Sequence, residues 1–355
     1  MIHRPMRVMY YVLLSLPLCL TENAFERGLE RSSSCINTND VLDRHAEVDT
    51  DIGVIYRGSR PWSLHKGSYA SGLPLCSDLK TLLLSLSLGK RSGNNTEIQS
   101  QFLPSSCTFP WLGPRDVCST FQKYSRVVMV GDSLTRHVAL ALHQLLSGNY
   151  EYGGVPRAMD SRFYDKCRCD GQFSEHSMCR VDNGLRDISF MDNRAAGLCN
   201  GNTRFSFEFV DFWQPGHESL IPTSGCMDER PTLYVISGGS HFSSDAMLTI
   251  TSMIDPALQK IKLINCSKHV LWVGLGAQAR QLDAVYSNQA REATQKFNKV
   301  VFDYVTSKYQ LPYLDVWELT KDAQTSDGFH YLTDVNLVKA QYVVSFMNLR
   351  LLQNP

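Results

Sequence analysis

The sequence predicts an α/β fold in which helices cover both faces of a parallel sheet. Short, mainly apolar runs such as 126–130 and 232–236 are typical of strands that are buried on both faces. Segments with apolar residues at helical spacing, such as 134–146, lie between these runs. Because strands that alternate with helices build parallel sheets, this order predicts the α/β class.

The predicted elements follow one another from residue 126 to the end of the chain. The strands are predicted at 126–130, 205–212, 232–236, 269–273 and 311–316, and the helices at 134–146, 246–264, 288–308 and 334–352. Pro256 predicts an interruption of the helix that contains it. In such folds the functional loops follow the carboxyl ends of the strands, so catalytic or binding residues are expected there.

Residues 1–21 have the composition of a secretory signal peptide or an uncleaved signal anchor. Arg4 and Arg7 precede an apolar stretch from Val8 to Leu20. That stretch is shorter than the roughly 20 residues that a membrane-spanning helix needs. Both interpretations place the rest of the chain in the secretory pathway, in the Golgi lumen or outside the cell. No later segment is predicted to span a membrane.

The 11 cysteines are best explained by disulfides in an exported protein. Loss of the signal segment would remove Cys19 and leave an even number, whose pairing the sequence does not reveal. The alternative is a zinc site built from Cys167, Cys169, Cys179 and Cys199. Its Cys-x-Cys start departs from the usual Cys-x₂₋₄-Cys spacing, so no metal is predicted.

Residues 22–106 are predicted to form an irregular N-terminal region that disulfides tether to residues 107–355. They are rich in Ser, Asn and Gly and show little periodicity, apart from a short helix predicted at 79–86. Asn94 and Asn265 each begin an Asn-x-Ser/Thr sequence and are candidate glycosylation sites.

Charge and motifs exclude two other classes of partner. The chain has 35 basic and 35 acidic residues, and its scattered basic residues form no footprint for a nucleic acid. The run Gly274–Ala279 fits the Gly-x-Gly-x-x-Ala dinucleotide fingerprint, but it follows at least three strands, and no helix is predicted to begin at Ala277. It is predicted to be a loop that borders the site, and no cofactor is predicted.

Ser133 lies at the junction between the first buried strand and its helix, in the sequence Gly131-Asp132-Ser133. Backbone N–H groups at a helix N-terminus favour negative charge, which suits a developing oxyanion. The alternative is that Asp132 or Ser133 only caps the helix.

Asp327 and His330 lie three residues apart just before the last predicted helix. On a turn, this spacing lets the carboxylate orient the imidazole, whose other nitrogen can deprotonate a serine. The alternative is a surface turn with an incidental histidine. Together with Ser133, the pair has the composition of a catalytic triad at one edge of the sheet.

Two motifs resemble the SGNH (GDSL-type) hydrolase superfamily, namely Val130–Arg136 and Asp327–Tyr331, and the helix residues 336–340 are also similar. Within the superfamily the chain looks most like the PC-esterase branch, which includes trichome-birefringence-like, capsule-type and sialic-acid glycan O-acetyltransferases. The resemblance covers about residues 107–355. It implies a three-layer, flavodoxin-like fold with a parallel sheet.

The resemblance also implies a mechanism. Ser133 would be the nucleophile, His330 the general base and Asp327 the residue that orients it. An acetyl-serine would pass its acetyl group to a sugar hydroxyl in an O-acetyltransferase, or to water in an esterase, so the partner would be a glycan or an acyl ester. The alternative is a secreted, non-catalytic glycan-binding or wall-associated protein on the same fold.

One loop departs from the superfamily pattern. A Gly-x-Asn-Asp motif usually follows the third strand, and its asparagine donates to the oxyanion, whereas residues 237–242 contain no asparagine. Ser240-His241-Phe242 loosely resembles a Gly-His-Trp-like motif of the PC-esterase branch. The candidates for oxyanion or substrate contacts are Gly131, Asp132, Gly153, Gly154, Gly239, Ser240 and His241. A capping or solvated role for His241 and a plain turn at Gly153 and Gly154 are the alternatives.

Overall fold

The computed structural model describes residues 73–92, 101–153, 167–173, 179, 198–212, 214–222, 227–279 and 290–353. The predicted signal segment 1–21 lies outside the described residues, as do most of the N-terminal region, Asn94 and Gly154.

The described chain begins with a helix and a small strand pair. Helix α1 is Leu79–Ser87, as the sequence predicts, and its N-cap Asp78 accepts a hydrogen bond from the backbone N–H of Thr81. Strands β1 (Lys90–Ser92) and β2 (Gln101–Leu103) pair antiparallel. Leu82 on α1 is buried in the same hydrophobic core as residues of the main sheet. This part of the N-terminal region therefore contributes to the core of the fold.

Five parallel strands in the described part of the chain form the main sheet, which confirms the predicted α/β class. They are β3 (Arg126–Gly131), β4 (Ser206–Asp211), β5 (Thr232–Ile236), β6 (Lys268–Val273) and β7 (Tyr313–Leu314). Their spatial order is β4-β3-β5-β6-β7, which is the flavodoxin-like order 2-1-3-4-5 when counted from β3. In sheets of this order, ligands bind at the point where the strand order reverses, which here lies between the carboxyl ends of β3 and β5.

Helices cover both faces of the sheet. Their bounds are α2 (Pro114–Phe121), α3 (Ser133–Ser147), α4 (Ala246–Thr249), α5 (Asp255–Leu263), α6 (Arg291–Lys308), α7 (Trp317–Thr320) and α8 (Thr333–Gln353). Along β3, Val127 and Met129 face the core formed with α3 and α8. Val128 and Val130 face the opposite core, formed with α5 and α6. This alternation follows from the pleat of the strand and produces the three layers.

The helix predicted over 246–264 is divided in the structure. A π-helical segment, Ile250–Ile254, joins α4 to α5 and ends just before Pro256. A proline has no N–H and clashes with the carbonyl four residues earlier, which is why regular α-helix gives way at this point. Met253 in the π-helical segment lies directly behind Gly238, where an added Cβ would be 2.7 Å from the Met253 side chain.

Three disulfides lie within the described residues: Cys76–Cys107, Cys118–Cys199 and Cys167–Cys179. Cys169 is also disulfide-bonded. All four cysteines considered as zinc ligands in the sequence are therefore engaged in disulfides. Such bonds persist in oxidising compartments, which fits an exported protein.

The surface carries one of the two candidate glycosylation sites. Asn265 is exposed between α5 and β6, and the neighbouring Cys266 is disulfide-bonded. Among the described helices, none is both long enough and apolar enough to cross a membrane.

Candidate active site

Ser133 is the first residue of α3, immediately after the turn that follows β3. Asp132 is the N-cap, and its Oδ1 accepts a hydrogen bond from the backbone N–H of Leu134 over 3.1 Å. The capping role therefore belongs to Asp132. The half-buried Ser133 presents its hydroxyl at the carboxyl edge of the sheet, beside the positive end of the helix dipole.

The structure brings Ser133, His330 and Asp327 together at this edge. His330 Nε2 lies 2.8 Å from the Ser133 hydroxyl oxygen, and His330 Nδ1 lies 2.7 Å from Asp327 Oδ2. An ionised carboxylate only accepts hydrogen bonds, so Nδ1 carries the proton and donates it to Asp327. Nε2 is then the acceptor for the Ser133 hydroxyl, which is the arrangement in which an imidazole can deprotonate a serine.

Asp327 is held by its own turn as well as by the imidazole. Its Oδ1 accepts hydrogen bonds from the backbone N–H groups of Phe329 and His330, at 2.9 and 2.7 Å. Burial acts to raise the pKa of Asp327, but the hydrogen bonds from the His330 ring and from the two backbone N–H groups outweigh it, and the pKa lies below its usual value. The carboxylate is therefore ionised at neutral pH and fixed in place.

Aromatic rings enclose the imidazole of His330, which is only 3% exposed. The ring centroids of Phe329 and His137 each lie 5.1 Å from that of His330, and Phe173 packs edge-on against His137 at 5.6 Å. The sequence prediction did not include His137. Its i, i+4 spacing from Ser133 on one face of α3 is the signal that could have placed it here.

Gly131 allows the two loops of the site to approach each other closely. A Cβ at this position would lie 2.1 Å from the backbone oxygen of Ser237 and 2.2 Å from Thr135 Oγ1. The backbone oxygen has little freedom to move away. Gly131 is therefore required for the contact between the loop after β3 and the loop after β5.

We expect Gly131→Ala to lower the free energy of unfolding by about 3 kcal/mol, because the added methyl group forces these loops apart. Urea denaturation measures the loss. Gly113→Ala is the control, since no atom lies within 4 Å of the added Cβ there, and it should cost less than about 1 kcal/mol as an N-cap change. Equal losses in the two variants would contradict the packing argument.

Ser240 joins the loop after β5 to the loop after β3. Its buried hydroxyl donates a hydrogen bond to Asp132 Oδ2. Gly239 is buried, and an added Cβ there would meet the ring of Phe297. His241 is exposed in the short 3₁₀-helix Ser240–Phe242. In the loop after β5, the chain thus has a serine whose proton is directed at Asp132.

Gly153 does not lie with the other candidates, and its prediction as an oxyanion donor is wrong. Its backbone N–H donates to the Asn149 oxygen over 2.8 Å, and an added Cβ would be 3.0 Å from the Cα of Gln144. Gln144 lies three helical turns beyond Ser133, about 16 Å along α3. Gly153 therefore belongs to a turn at the far end of the helix.

The run Gly274–Ala279 borders the site as a loop and forms no helix within its described residues. The backbone N–H of Ala279 donates to the Gly328 oxygen over 2.8 Å, and the Tyr331 hydroxyl donates to the Ala277 oxygen over 2.8 Å. The loop therefore supports the turn that carries Asp327 and His330. In its position and contacts it differs from a dinucleotide-binding turn.

No protein-family model and no curated protein sequence matches the chain. Among solved structures, it is similar to Est24, a carbohydrate acetylesterase from Sinorhizobium meliloti. The match covers 63% of this chain and 98% of Est24, with 12% sequence identity and a TM-score of 0.36. At this identity and TM-score the likeness indicates nothing about the activity of this chain.

Proposed function

We propose that the protein is a serine-dependent acyl-transfer enzyme of the SGNH type that moves an acetyl group to a glycan hydroxyl or to water. The observation that supports this most strongly is the continuous hydrogen-bonded series from Ser133 through His330 to Asp327. Disulfides in the described residues fit the secreted or Golgi-lumenal location of such an enzyme.

In the first half of the reaction, Ser133 Oγ attacks the carbonyl carbon of an acetyl ester and gives its proton to His330 Nε2. Asp327 stabilises the imidazolium that forms. The tetrahedral intermediate collapses when the bond to the leaving alcohol breaks, and His330 returns the proton to that alcohol. The product is an acetyl-serine at Ser133 together with the free alcohol.

In the second half, a sugar hydroxyl or water attacks the acetyl-serine, and His330 removes the proton of the attacking group. The acetyl group leaves on the acceptor and Ser133 regains its hydroxyl proton from His330. The developing oxyanion lies near the N-terminus of α3, where the backbone N–H of Ser133 is a candidate donor. A sugar acceptor makes the enzyme an O-acetyltransferase of the PC-esterase type, and water makes it an acetylesterase.

A non-catalytic glycan-binding role is the second candidate. It is favoured by the absence of an asparagine from residues 237–242 and by the hydroxyl of Ser240, which binds Asp132. Labelling by a serine-directed phosphonate separates the two functions. Stoichiometric labelling of Ser133 supports the enzyme, and complete lack of labelling supports the binding protein.

The proposed reaction is tested by measuring how much of the acetyl group passes to water and how much to a sugar hydroxyl. The protein is incubated with an aryl acetate, with and without an oligosaccharide acceptor, and both products are measured by mass spectrometry. We expect release of the aryl alcohol in both mixtures. Acetylated oligosaccharide formed at the expense of acetate would assign the transferase, and acetate alone would assign the esterase. No release of alcohol above the rate in buffer would contradict the proposed function.

A further inference from the structure

Lys339 on α8 is a buried lysine that has no part in the proposed acetyl transfer through Ser133, His330 and Asp327. Its side chain is inside the protein, with the residue 3% exposed, and its Nζ lies 4.1 Å from the centroid of the Tyr331 ring. Among the described residues it forms no hydrogen bond or ion pair. A buried amine is costly unless its surroundings compensate for the lost water, so those surroundings indicate what it does.

Two opposing influences act on the charge of Lys339. Burial lowers its pKa from 10.5 to about 7, and the negative charge of Asp132 acts in the opposite direction. The side chain therefore changes its charge near neutral pH. A lysine that gains or loses a proton in this range can affect any charge that develops close to it.

Lys339 lines an internal cavity of about 20 Å³. Thr135 and Ser237 line the same cavity, and Thr135 Oγ1 donates a hydrogen bond to the Ser237 backbone oxygen over 3.3 Å. A cavity of this size can hold one water molecule if two to four polar groups surround it. The amine of Lys339, the hydroxyl of Thr135 and the oxygens of Ser237 are such groups.

The cavity lies directly beneath the candidate active site. Thr135 is in the first turn of α3, two residues after Ser133. Ser237 follows β5, and its backbone N–H donates to the Val130 oxygen over 3.0 Å. The cavity therefore borders both loops that Gly131 brings into contact, and Lys339 lines it from α8, which packs beside α3 in the same core.

We propose that Lys339 is a positioning residue whose ammonium offsets the charge of Asp132 beneath the nucleophile and binds one water molecule shared with Thr135 and Ser237. The inference rests on the proposed function, because the offset matters only if Ser133 is acylated. Negative charge develops on the substrate oxygen next to Ser133, and the neighbouring Asp132 carboxylate opposes it. A cation below the loop reduces that opposition, most strongly where water is excluded.

The titratable groups that face Lys339 are few. The side chains that line the rest of the cavity are apolar: Met129, Leu134, Val138, Val235, Val273, Leu314 and Val343. Within the described part of the chain, the facing groups are the Asp132 carboxylate and the Tyr331 phenol. Burial raises the pKa of Tyr331 well above its usual value, so this phenol stays neutral. Among the residues that line the cavity, Lys339 is the ionisable one, and its charge changes near pH 7.

The dependence of acetyl-ester hydrolysis on pH tests the inference. In the unmodified protein we expect the rate to fall between about pH 7 and pH 9, because Lys339 loses its proton there. Lys339→Met keeps the length of the side chain without the charge. Near pH 6.5 this variant should hydrolyse the ester about tenfold more slowly than the unmodified protein, with a KM within about twofold of it. Its rate should not fall between about pH 7 and pH 9. Lys339→Gln should behave in the same way.

Lys296→Met removes an exposed lysine of α6 and is the matched control. It should keep the profile of the unmodified protein. Profiles of the same shape in the unmodified protein and in Lys339→Met would overturn the inference, since a merely structural lysine would change the rate equally at every pH.

Thermal unfolding against pH gives a readout that needs no activity. Because the pKa of Lys339 is lowered from 10.5 to about 7, the unfolded chain binds more protons between these values, and stability rises with pH across that window. The melting temperature of Lys339→Met should therefore exceed that of the unmodified protein most at pH 7 and below, and the difference should shrink towards pH 10.5. A difference in melting temperature between the two proteins that is independent of pH would overturn the inference. The expected stability change without any ester hydrolysis would instead contradict the proposed function.

Discussion

Replacement of Ser133 by alanine is expected to reduce acetyl-ester hydrolysis by about 10⁴- to 10⁶-fold, the loss typical of removing a serine nucleophile. The reason is that the hydroxyl bound to His330 Nε2 is the atom that forms the acyl bond. The fold should persist, because Ser133 is only half-buried and the helix keeps Asp132 as its N-cap. Initial rates and a urea denaturation curve measure the two effects.

Ser147→Ala provides the matched control for this variant. Ser147 is the last residue of the same helix α3, where its hydroxyl donates to the Gln144 oxygen. We expect wild-type rates from it. A Ser133→Ala protein that keeps the wild-type rate while unfolding at the same urea concentration would exclude Ser133 as the nucleophile.

Asp327→Asn is expected to lower kcat by about 10³- to 10⁴-fold with little change in structure. Asp327 accepts hydrogen bonds from the imidazole and from two backbone N–H groups. An asparagine can offer its oxygen to only one of these sides and turns its NH₂ group towards the other. If the NH₂ faces the imidazole, Nδ1 must accept, Nε2 carries the proton, and His330 can no longer deprotonate Ser133.

The Asp327→Asn result requires a control for general loss of charge. Asp303→Asn removes an exposed carboxylate on α6 and should leave kcat unchanged. Comparison of kcat with KM adds a second check, since a residue that only orients the base should affect kcat far more than KM. A large increase in KM at constant kcat would place Asp327 in substrate binding instead.

The sheet could be predicted from the sequence because its strands are buried on both faces. Mainly apolar runs such as 232–236 are the direct consequence of that burial. The interruption of the helix over 246–264 could be predicted from Pro256, but not its form. In the π-helical segment Met253 lies against Gly238, which is a contact between distant parts of the chain.

In the candidate site, too, short sequence motifs could be predicted from the sequence, whereas contacts between distant parts of the chain could not. The position of Ser133 at a strand-to-helix turn and the Asp327–His330 spacing are local, and the structure brings the three residues together. The mistaken expectation for Gly153 arose because a Gly-Gly pair carries no information about which end of a helix it adjoins. The contact between His137 on α3 and His330 in the turn before α8 joins residues far apart in sequence, and only the fold shows it.

Mass spectrometry of the protein after brief exposure to an aryl acetate is the most direct test of the acyl-enzyme. After acid quenching and proteolysis, we expect one acetyl group on the peptide that contains Ser133, formed in a burst and lost when an acceptor is added. The adduct should be absent from Ser133→Ala and should form much more slowly in Asp327→Asn. An unmodified Ser133 peptide during active hydrolysis, or an equal adduct in Ser133→Ala, would contradict the assignment.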